Sequence, residues 1–328
     1  ENPSRQLFSA SITRAGDVDE FLESIRGYRV RLMQIEKGPL VAEAIQTRLG
    51  GVLLTATQYQ RAVVHSGEPP SGKITFAVGL SEVPVLFQGI QFGPHDLLMV
   101  TPGSEIDIVS QAGCGLAAVS FPLNLVRETA SFLGLTPIAP PSTGLVIGLG
   151  PEKASLLRAA FSSFLNEAVT TPLDERASNS SALTKQEGLL RFLIHCTGDT
   201  SSKTKSAGNG ERARVLKAAL KVINDSTEDV ITVGDLCRIA RASERTLDYA
   251  FAERFGLSPA QYMKARRLNA ARNDFCREHE CQMKIADIAN KWGFWHLGQF
   301  ARDYQTWFGE LPSETYERRH RTTLASFK

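Results

Sequence analysis

Between residues 25 and 125, apolar and polar residues alternate in the pattern of β-strands that bury one face. In "KITFAVGL", Ile74, Phe76, Val78 and Leu80 alternate with small or polar neighbours, and "EIDIV" repeats this pattern further on. Clusters rich in Gly and Pro, such as "GEPPSGK" and "TPGSE", separate the runs. Several short strands at this spacing predict an antiparallel sandwich or barrel.

The period changes to that of a helix after the Pro-rich stretch "PIAPPSTG" at 137–144. Two helices are predicted here, the second over about 181–196. The first carries its apolar stripe at Leu156, Leu157, Ala160, Phe161, Phe164 and Leu165. The pattern leaves open whether these helices cap the β-structure or pair with a second subunit.

The polar run "GDTSSKTKSAGNG" at 198–210 is rich in Ser and Gly, which is typical of a flexible linker. We therefore predict one domain at 1–200, a linker at 201–210 and a second domain at 211–328. The second domain carries 20 Lys and Arg against 16 Asp and Glu, a net charge of +4, whereas the whole chain carries +2. A mildly basic domain is compatible with a polyanionic partner but does not by itself indicate one.

The second domain contains an internal repeat of helical segments. Asp235 and Leu236 recur as Asp287 and Ile288 at an offset of 52, and "FAERFGLSP" recurs as "YQTWFGELP" at an offset of 53. Each copy predicts a short helix, a tight turn and a second amphipathic helix that ends at a Gly. This is the layout of a helix-turn-helix, whose second helix enters the major groove of DNA.

Between the two copies, "LSPAQYMKARRLNAARNDFCREHE" predicts a connecting helix with Ser258 as its N-cap and Pro259 at its first position. About 20 helical residues at roughly 1.5 Å each give about 30 Å. Major grooves on one face of B-DNA recur about every 34 Å. A rigid connector of this length could present two reading helices to successive grooves.

These segments resemble the DNA-binding domain of the AraC/XylS family of bacterial transcription regulators, over about 212–319. The resemblance rests on "LSPAQY", "RRLNAAR", "IADIANKWGF" and the spacing of Phe, Arg, Tyr, Phe and Gly across 300–309. The wording "GFWHLGQFARDY" is similar to a subgroup typified by ethanolamine-operon regulators. The resemblance implies an α+β protein of two domains. The N-terminal one is a β-rich, cupin-like sensing and dimerisation domain with helices, and the C-terminal one is all-α with two helix-turn-helix units.

In this family, bases are read by outward-facing residues early in each second helix. Carried over position by position, these residues are Arg245, Asp248 and Tyr249 in the first unit and Trp295, His296, Gln299 and Arg302 in the second. Arg302 and Gln299 have suitable chemistry, because Arg pairs with guanine and Gln with adenine. The alternative for all seven is a solvated helix face.

Two positions depart from the family pattern. Arg241 stands in the first turn where Gly is usual, so a positive φ there would store strain. Tyr249 stands where Arg is usual, so one strong guanine or phosphate contact is absent. We therefore expect the second unit, which keeps Arg302, to supply more of the sequence reading.

Most aromatic and aliphatic residues of the repeat recur at helical spacing and are interpreted as core instead of a ligand box, with Trp307 expected to be partly exposed. The predicted core residues are Leu236, Ile239, Leu247, Phe251, Phe255, Ile285, Ile288, Trp292, Phe294, Phe300, Tyr304 and Phe308.

The resemblance implies a sequence-specific regulator, an effector-responsive activator, with repression as the alternative. Its implied partners are a double-stranded DNA operator, RNA polymerase, a small-molecule effector and a second copy of the chain. An N-terminal domain that only dimerises is a second alternative. With no apolar run near the roughly 20 residues of a membrane span and no signal-peptide pattern, we expect a cytoplasmic protein and no membrane partner.

Enzyme chemistry has little support in the sequence. It lacks a nucleophile elbow, a phosphate loop and a dinucleotide or zinc-protease motif, so we predict no catalytic residue and no cofactor. Cys276, His279 and Cys281 lack a partner pair at metal-ligand spacing, and His65 and His95 lie far apart, so no metal site is predicted. A cupin-like enzyme fused to a DNA-binding domain is the alternative from another class.

Overall fold

The computed structural model divides the chain into two compact units. The first comprises Glu1–Leu32 and Val41–Ala207, and the second comprises Met33–Leu40 and Gly208–Lys328. The structure describes residues 8–49, 51–135, 144–170, 180–198, 204–206, 210–225, 231–277 and 283–318. The division at 1–200, 201–210 and 211–328 stays a prediction, and residues 201–203 and 207–209 of the linker lie outside the described residues.

Antiparallel strands make up most of the first unit. They are β1 (Phe8–Ala15), β2 (Arg29–Gln34), β3 (Ala42–Leu49), β4 (Val52–Tyr59), β5 (Val63–Glu68), β6 (Lys73–Gly79), β7 (Val85–Phe87), β8 (Ile90–Phe92), β9 (Asp96–Val100), β10 (Ile106–Ser110), β11 (Gly115–Pro122), β12 (Leu145–Gly148) and β13 (Thr204–Lys205). In β6 the predicted alternation is only half of the pattern. Thr75 and Ala77 are buried as well as Phe76, because both faces of this strand are covered, while Leu80 follows the strand and is exposed.

The strands form two sheets, in agreement with the predicted sandwich. An eight-stranded sheet has the order β1-β3-β4-β11-β6-β9-β12-β13, and a five-stranded sheet has the order β2-β5-β10-β7-β8. One face of the larger sheet packs on the smaller one, where Ala77 and Leu98 meet Val85 and Phe87 in a buried cluster. Polar groups also lie between the sheets: the Tyr28 hydroxyl, beside β2, lies 3.2 Å from Ser120 Oγ on β11.

Helices cover the other face of the larger sheet. The first unit contains α1 (Val18–Ser24), α2 (Leu123–Phe132), α3 (Pro151–Thr170) and α4 (Ser180–Gly198). Leu157 and Phe161 of α3 and Leu193 of α4 pack with Phe76 in a second cluster, so these helices cap the β-structure. Leu156 does not join the predicted stripe and is 62% exposed, because it lies about 100° round the helix from Leu157.

The second unit is helical, as predicted. Its helices are α5 (Glu211–Asp225), α6 (Val233–Ala240), α7 (Glu244–Phe255), α8 (Pro259–Arg277), α9 (Ile285–Lys291) and α10 (Leu297–Phe308), and residues 312–318 are also helical. A β-rich N-terminal unit and a helical C-terminal unit with two repeated helix pairs confirm the predicted fold class.

The segment Met33–Leu40 belongs to the second unit although it is distant from the rest of that unit in sequence. Gln34 is buried and exchanges two hydrogen bonds with the Asn269 side chain of α8, at 3.0 and 2.9 Å. Trp307 Nε1 donates to the Gln34 carbonyl at 3.2 Å, and Gln34 Nε2 donates to the Trp307 carbonyl at 3.0 Å. This segment therefore contributes to the core beside α8 and α10.

Among the helices that the structure describes, none combines the length and the apolar character that crossing a membrane would require.

Candidate nucleic-acid interface

The first helix-turn-helix consists of α6 and α7. Thr232 and Asp235 form a capping box at the start of α6: Asp235 N donates to Thr232 Oγ1 at 3.2 Å and Thr232 N donates to Asp235 Oδ2 at 3.1 Å. Hydrogen bonds from Thr232 and Arg238 lower the pKa of Asp235 to about 2. The helix ends at Arg241, which adopts the left-handed conformation with φ 51° and ψ 50°. The expected backbone strain is therefore present.

α7 follows with its own cap and a buried face. Ser243 Oγ accepts from Thr246 N at 3.1 Å, and the helix ends at Gly256 with φ 68°. The buried residues of this unit include Val215, Ala219, Ile223, Leu236, Ala240, Leu247, Ala250, Phe251, Phe255 and Tyr262. A compact apolar core thus fixes α7 and leaves its opposite face to solvent.

The second helix-turn-helix consists of α9 and α10. Asp287 Oδ2 accepts from Lys284 N at 3.3 Å at the start of α9, and Gly293 takes a positive φ of 74° in the turn. α10 begins after His296, which makes no side-chain capping bond, and ends at Gly309 with φ 80°. Its core contains Ala265, Leu268, Ala271, Phe275, Ile288, Ala289, Phe294, Phe300, Tyr304, Trp307 and Phe308.

Two predictions about the core are wrong. Ile239 is 47% exposed because α6 packs through Leu236 and Ala240, and Ile239 lies beyond the edge of that face. Trp307 is only 4% exposed because the backbone of Gln34 covers it. The remaining predicted core residues are buried or half-buried, and Trp292 donates its indole N–H to Asp274 Oδ2 at 2.7 Å.

The connecting helix α8 has the predicted start. Gln261 N donates to Ser258 Oγ at 3.3 Å, and Pro259 is the first helical residue. Its 19 residues correspond to a length of roughly 28 Å. Arg272 is buried in the C-terminal half of α8 and donates to Glu310 Oε1 at 2.5 Å, which connects the helix to the chain that follows α10.

The three residues predicted to contact DNA in the first helix-turn-helix are all exposed on α7: Arg245, Asp248 and Tyr249. Arg245 Nη2 lies 3.3 Å from the Tyr249 hydroxyl, and the guanidinium lies 5.5 Å from the Tyr249 ring centre. Arg212 of α5 lies 5.2 Å from the same ring centre and 3.3 Å from the Glu253 carboxylate. Two cationic groups therefore accompany the tyrosine that replaces the usual arginine, and Asp248 lies beside them in sequence.

The four predicted residues of the second unit are exposed at and after the N-terminus of α10. Trp295 is 70% exposed and His296 precedes the first turn. Arg302 Nη2 donates to Gln299 Oε1 at 3.3 Å, so these two side chains are in contact. α10 thus has one face of buried rings and an opposite face of polar groups.

The sequence alone did not single out three neighbours of these faces: Arg212, Asp303 and Lys264. Asp303 follows Gln299 by four residues, so helical spacing could have placed them together. Arg212 and Lys264 come from other helices, and no local pattern connects them to α7 or α10.

The described residues contain no group of three or more His, Cys, Asp or Glu side chains that could hold a metal ion. His279, Cys281 and the side chain of Cys276 lie outside what the structure describes. Cys114, Cys196 and Cys237 are not joined by disulfide bonds among the described residues.

Comparison with known proteins gives consistent results for the helical unit. The family model "Helix-turn-helix domain" matches residues 236–318. XylDLEGF operon transcriptional activator 2 of Pseudomonas putida is 30% identical over 115 residues, which cover 35% of this chain and 73% of that protein.

Two longer similarities extend beyond this unit. XylDLEGF operon transcriptional activator 3 of Pseudomonas putida is 26% identical over 233 residues, which cover 70% of this chain and 66% of that relative. The crystal structure of the AraC-like transcriptional activator CuxR is 14% identical with a TM-score of 0.41, covering 81% of this chain and 96% of that one.

Proposed function

The chain belongs to the AraC/XylS family of transcription regulators, and on this premise we propose that it binds a DNA operator by inserting α7 and α10 into successive major grooves. The observation that carries this proposal is the pair of helix-turn-helix units joined by one continuous helix, α8. Its length of roughly 28 Å is comparable to the 34 Å or so between major grooves on one face of B-DNA.

Within this proposal the two units have different tasks. Arg302 reads a guanine and Gln299 an adenine, each contact contributing roughly 1 to 3 kcal/mol of discrimination. Trp295 and His296 contact the DNA beside the N-terminus of α10, where backbone amides favour a phosphate. In the first unit, Arg245, Asp248 and Tyr249 face the DNA, where the cationic groups beside Tyr249 suit the phosphates better than a base.

The test is specific binding to the DNA upstream of the protein's own gene, mapped by footprinting of the full chain. We expect Arg302→Ala to abolish specific protection while the intrinsic tryptophan fluorescence keeps its folded spectrum. The matched control is Arg14→Ala, which removes an equally charged, exposed side chain from β1 of the β-rich N-terminal unit. Specific binding by Arg302→Ala at wild-type affinity would contradict the assignment.

Salt dependence tests DNA binding independently of any one residue. Each phosphate that Lys or Arg neutralises releases counterions, so the logarithm of the binding constant should fall linearly and steeply with the logarithm of salt concentration. A binding constant that does not change between about 50 and 200 mM salt would argue against DNA binding altogether.

We further propose that the protein is an effector-responsive activator that acts as a homodimer with RNA polymerase in the cytoplasm and has no enzymatic activity. Activation is supported by its relatives in Pseudomonas putida, which are named as operon transcriptional activators. Sensing is assigned to the domain at 1–200, where hydroxyl groups of Tyr28, Thr75 and Ser120 lie between the two sheets within hydrogen-bond distance of one another.

Thermal-shift measurements on the full chain with a panel of small metabolites test the sensing role. The panel includes ethanolamine, since the wording "GFWHLGQFARDY" favours the ethanolamine-operon-regulator-like subgroup. A ligand at 100 times its Kd stabilises by roughly 2.7 kcal/mol, which such a shift detects. A panel without any stabilising compound would favour a domain that only dimerises.

A further inference from the structure

Four side chains form a continuous polar chain along the exposed face of α10 and onto α8. Lys264 Nζ lies 2.8 Å from Asp303 Oδ2. Gln299 Nε2 donates to Asp303 Oδ1 at 3.0 Å, and Arg302 Nη2 donates to Gln299 Oε1 at 3.3 Å. Of the four, only Gln299 and Arg302 belong to the proposed reading face, so Lys264 and Asp303 need a separate explanation.

Asp303 fixes which way the Gln299 amide points. An ionised carboxylate only accepts hydrogen bonds, so it must face the Nε2 group of Gln299 and not Oε1. The amide has two N–H donors and an oxygen with two lone pairs. Once the bond to Asp303 has formed, the Gln299 amide has one N–H donor left for the DNA. Its oxygen has two lone pairs left, or one while it also accepts from Arg302.

The groups that remain match one base. Adenine presents an acceptor at N7 and a donor at N6 in the major groove, and a glutamine amide binds both at once. We propose that Asp303 is a positioning residue that holds Gln299 in the orientation that reads adenine, and that Lys264 offsets the charge of Asp303 close to the phosphates. The inference rests on the proposed function and deepens it.

The need for Lys264 follows from electrostatics. A carboxylate on a DNA-facing helix repels the phosphate backbone and would weaken binding at every sequence. The side chain of Asp303 is 19% exposed and that of Lys264 is 39% exposed. The pair is therefore partly shielded from solvent, and the ammonium group offsets the repulsion without removing the acceptor that Gln299 needs.

The first helix-turn-helix has no counterpart of this arrangement. At the repeat offset of 53, Gln299 corresponds to Thr246 and Asp303 corresponds to Ala250, which is buried and has no polar side chain. The arrangement is therefore specific to the second helix-turn-helix, which is the unit expected to supply more of the sequence reading.

The experiment selects binding sites for the full chain from a pool of random DNA duplexes. Gln299→Ala first identifies the adenine position, because wild type and this variant should differ there. We then compare Asp303→Ala, Asp303→Asn and a control, Glu253→Ala. The control removes an exposed carboxylate of α7 that is paired with Arg212 of α5. Affinity for a duplex of unrelated sequence is measured in parallel, together with the urea midpoint from tryptophan fluorescence.

Asp303→Ala should lower the adenine preference by roughly two- to tenfold, the cost of ordering one side chain on binding. Its affinity for the unrelated duplex should rise, since a negative charge is lost and Lys264 is released toward the phosphates. Asp303→Asn keeps an acceptor and should restore much of the preference, and Glu253→Ala should leave it unchanged. These opposite signs for specificity and general affinity are not expected of a residue that only stabilises the fold.

Three results would overturn the inference. The first is an adenine preference that Asp303→Ala leaves at the wild-type value. The second is a joint loss of preference, general affinity and urea midpoint, which would make Asp303 a structural residue. The third is a wild-type chain that enriches no sequence, which would reject the proposed function itself and is distinguishable from the other two.

Discussion

Replacing Arg241 by Gly should stabilise the helical C-terminal unit. The residue caps α6 with φ 51° and ψ 50°, and its side chain is exposed. For a residue with a Cβ, the left-handed conformation costs roughly 1 to 2 kcal/mol. Glycine avoids this cost but loses roughly 0.5 to 1 kcal/mol more conformational entropy on folding. The middles of the two ranges differ by about 0.75 kcal/mol, so we expect a gain of about 0.5 to 1 kcal/mol for Arg241→Gly.

Arg241→Ala is the matched control, because it removes the same side chain but keeps the Cβ and therefore the strain. The chain contains three Trp, and all of them lie in the helical C-terminal unit: Trp292, Trp295 and Trp307. Urea unfolding of the full chain followed by tryptophan fluorescence therefore reports on that unit. Circular dichroism at 222 nm in the same titration verifies that α6 and α7 unfold with it.

With a urea m-value of roughly 1 to 3 kcal/mol per molar, the gain corresponds to a rise of about 0.2 to 1 M in the midpoint. The m-value should not change, since both variants expose the same surface on unfolding. Equal midpoints for Arg241→Gly and Arg241→Ala would refute the reasoning from backbone strain. A lower midpoint for the glycine variant would show that unfolded-state entropy dominates at this position.

Three further outcomes are expected. Arg212→Ala should lower DNA affinity at all sequences and reduce the salt slope by about one, whereas Arg214→Ala, exposed two residues later on another side of α5, should not. Burial lowers the pKa of His65 to about 4, so the unfolded chain binds more protons than the native one between about pH 6.5 and 4. Acidification to pH 5 should therefore lower the free energy of unfolding by roughly 2 kcal/mol. His65→Gln should make the free energy of unfolding, measured by calorimetry, depend less on pH over this range. Gln34→Ala should lower the free energy of unfolding, obtained from urea titration, by roughly 1 to 3 kcal/mol, because it removes the side-chain donor to the buried Trp307 carbonyl.

Local patterns were sufficient to predict the helical unit. Capping residues, turn glycines and apolar spacing all act over three to five residues, and these interactions are visible in the sequence itself. Ser258 caps α8 and Gly256 ends α7 as the pattern indicated. The strain at Arg241 could also be predicted, because the family that the sequence resembles usually has Gly at this position of the turn.

Contacts between distant parts of the chain could not be predicted in this way. Trp307 was expected to be partly exposed, but it is covered by Gln34, which is 273 positions away. Likewise, Thr204–Lys205 forms a strand beside β12 within the stretch that composition marked as a linker, and Lys205 Nζ lies 2.6 Å from Asp96 Oδ2. Composition describes how a segment behaves alone and carries no information about which remote surface receives it.

The candidate site was predictable to a similar limit. Exposure of Gln299 and Arg302 follows from the helical period, since the buried face is fixed by Phe300 and Tyr304. Their mutual contact and the hydrogen bond from Gln299 to the Asp303 carboxylate depend on rotamers, which periodicity does not determine. Arg212 enters the site from a separate helix, and only tertiary structure places it over Tyr249.

In the proposed binding mode, the two helix-turn-helix units divide affinity and specificity between them. Phosphate contacts add affinity at every sequence and weaken with salt, whereas base contacts distinguish sequences and are less sensitive to salt. The first helix-turn-helix has the guanidinium groups of Arg212 and Arg245 beside Tyr249, and the second has the Gln299 amide in contact with Arg302. Changes on α7 should then act mainly on general affinity and its salt slope, and changes on α10 mainly on the preferred sequence. Because α8 connects both helix-turn-helix units within one chain, a lost DNA contact in either should lower occupancy of the operator, but only a lost contact on α10 should redirect the protein to a different operator.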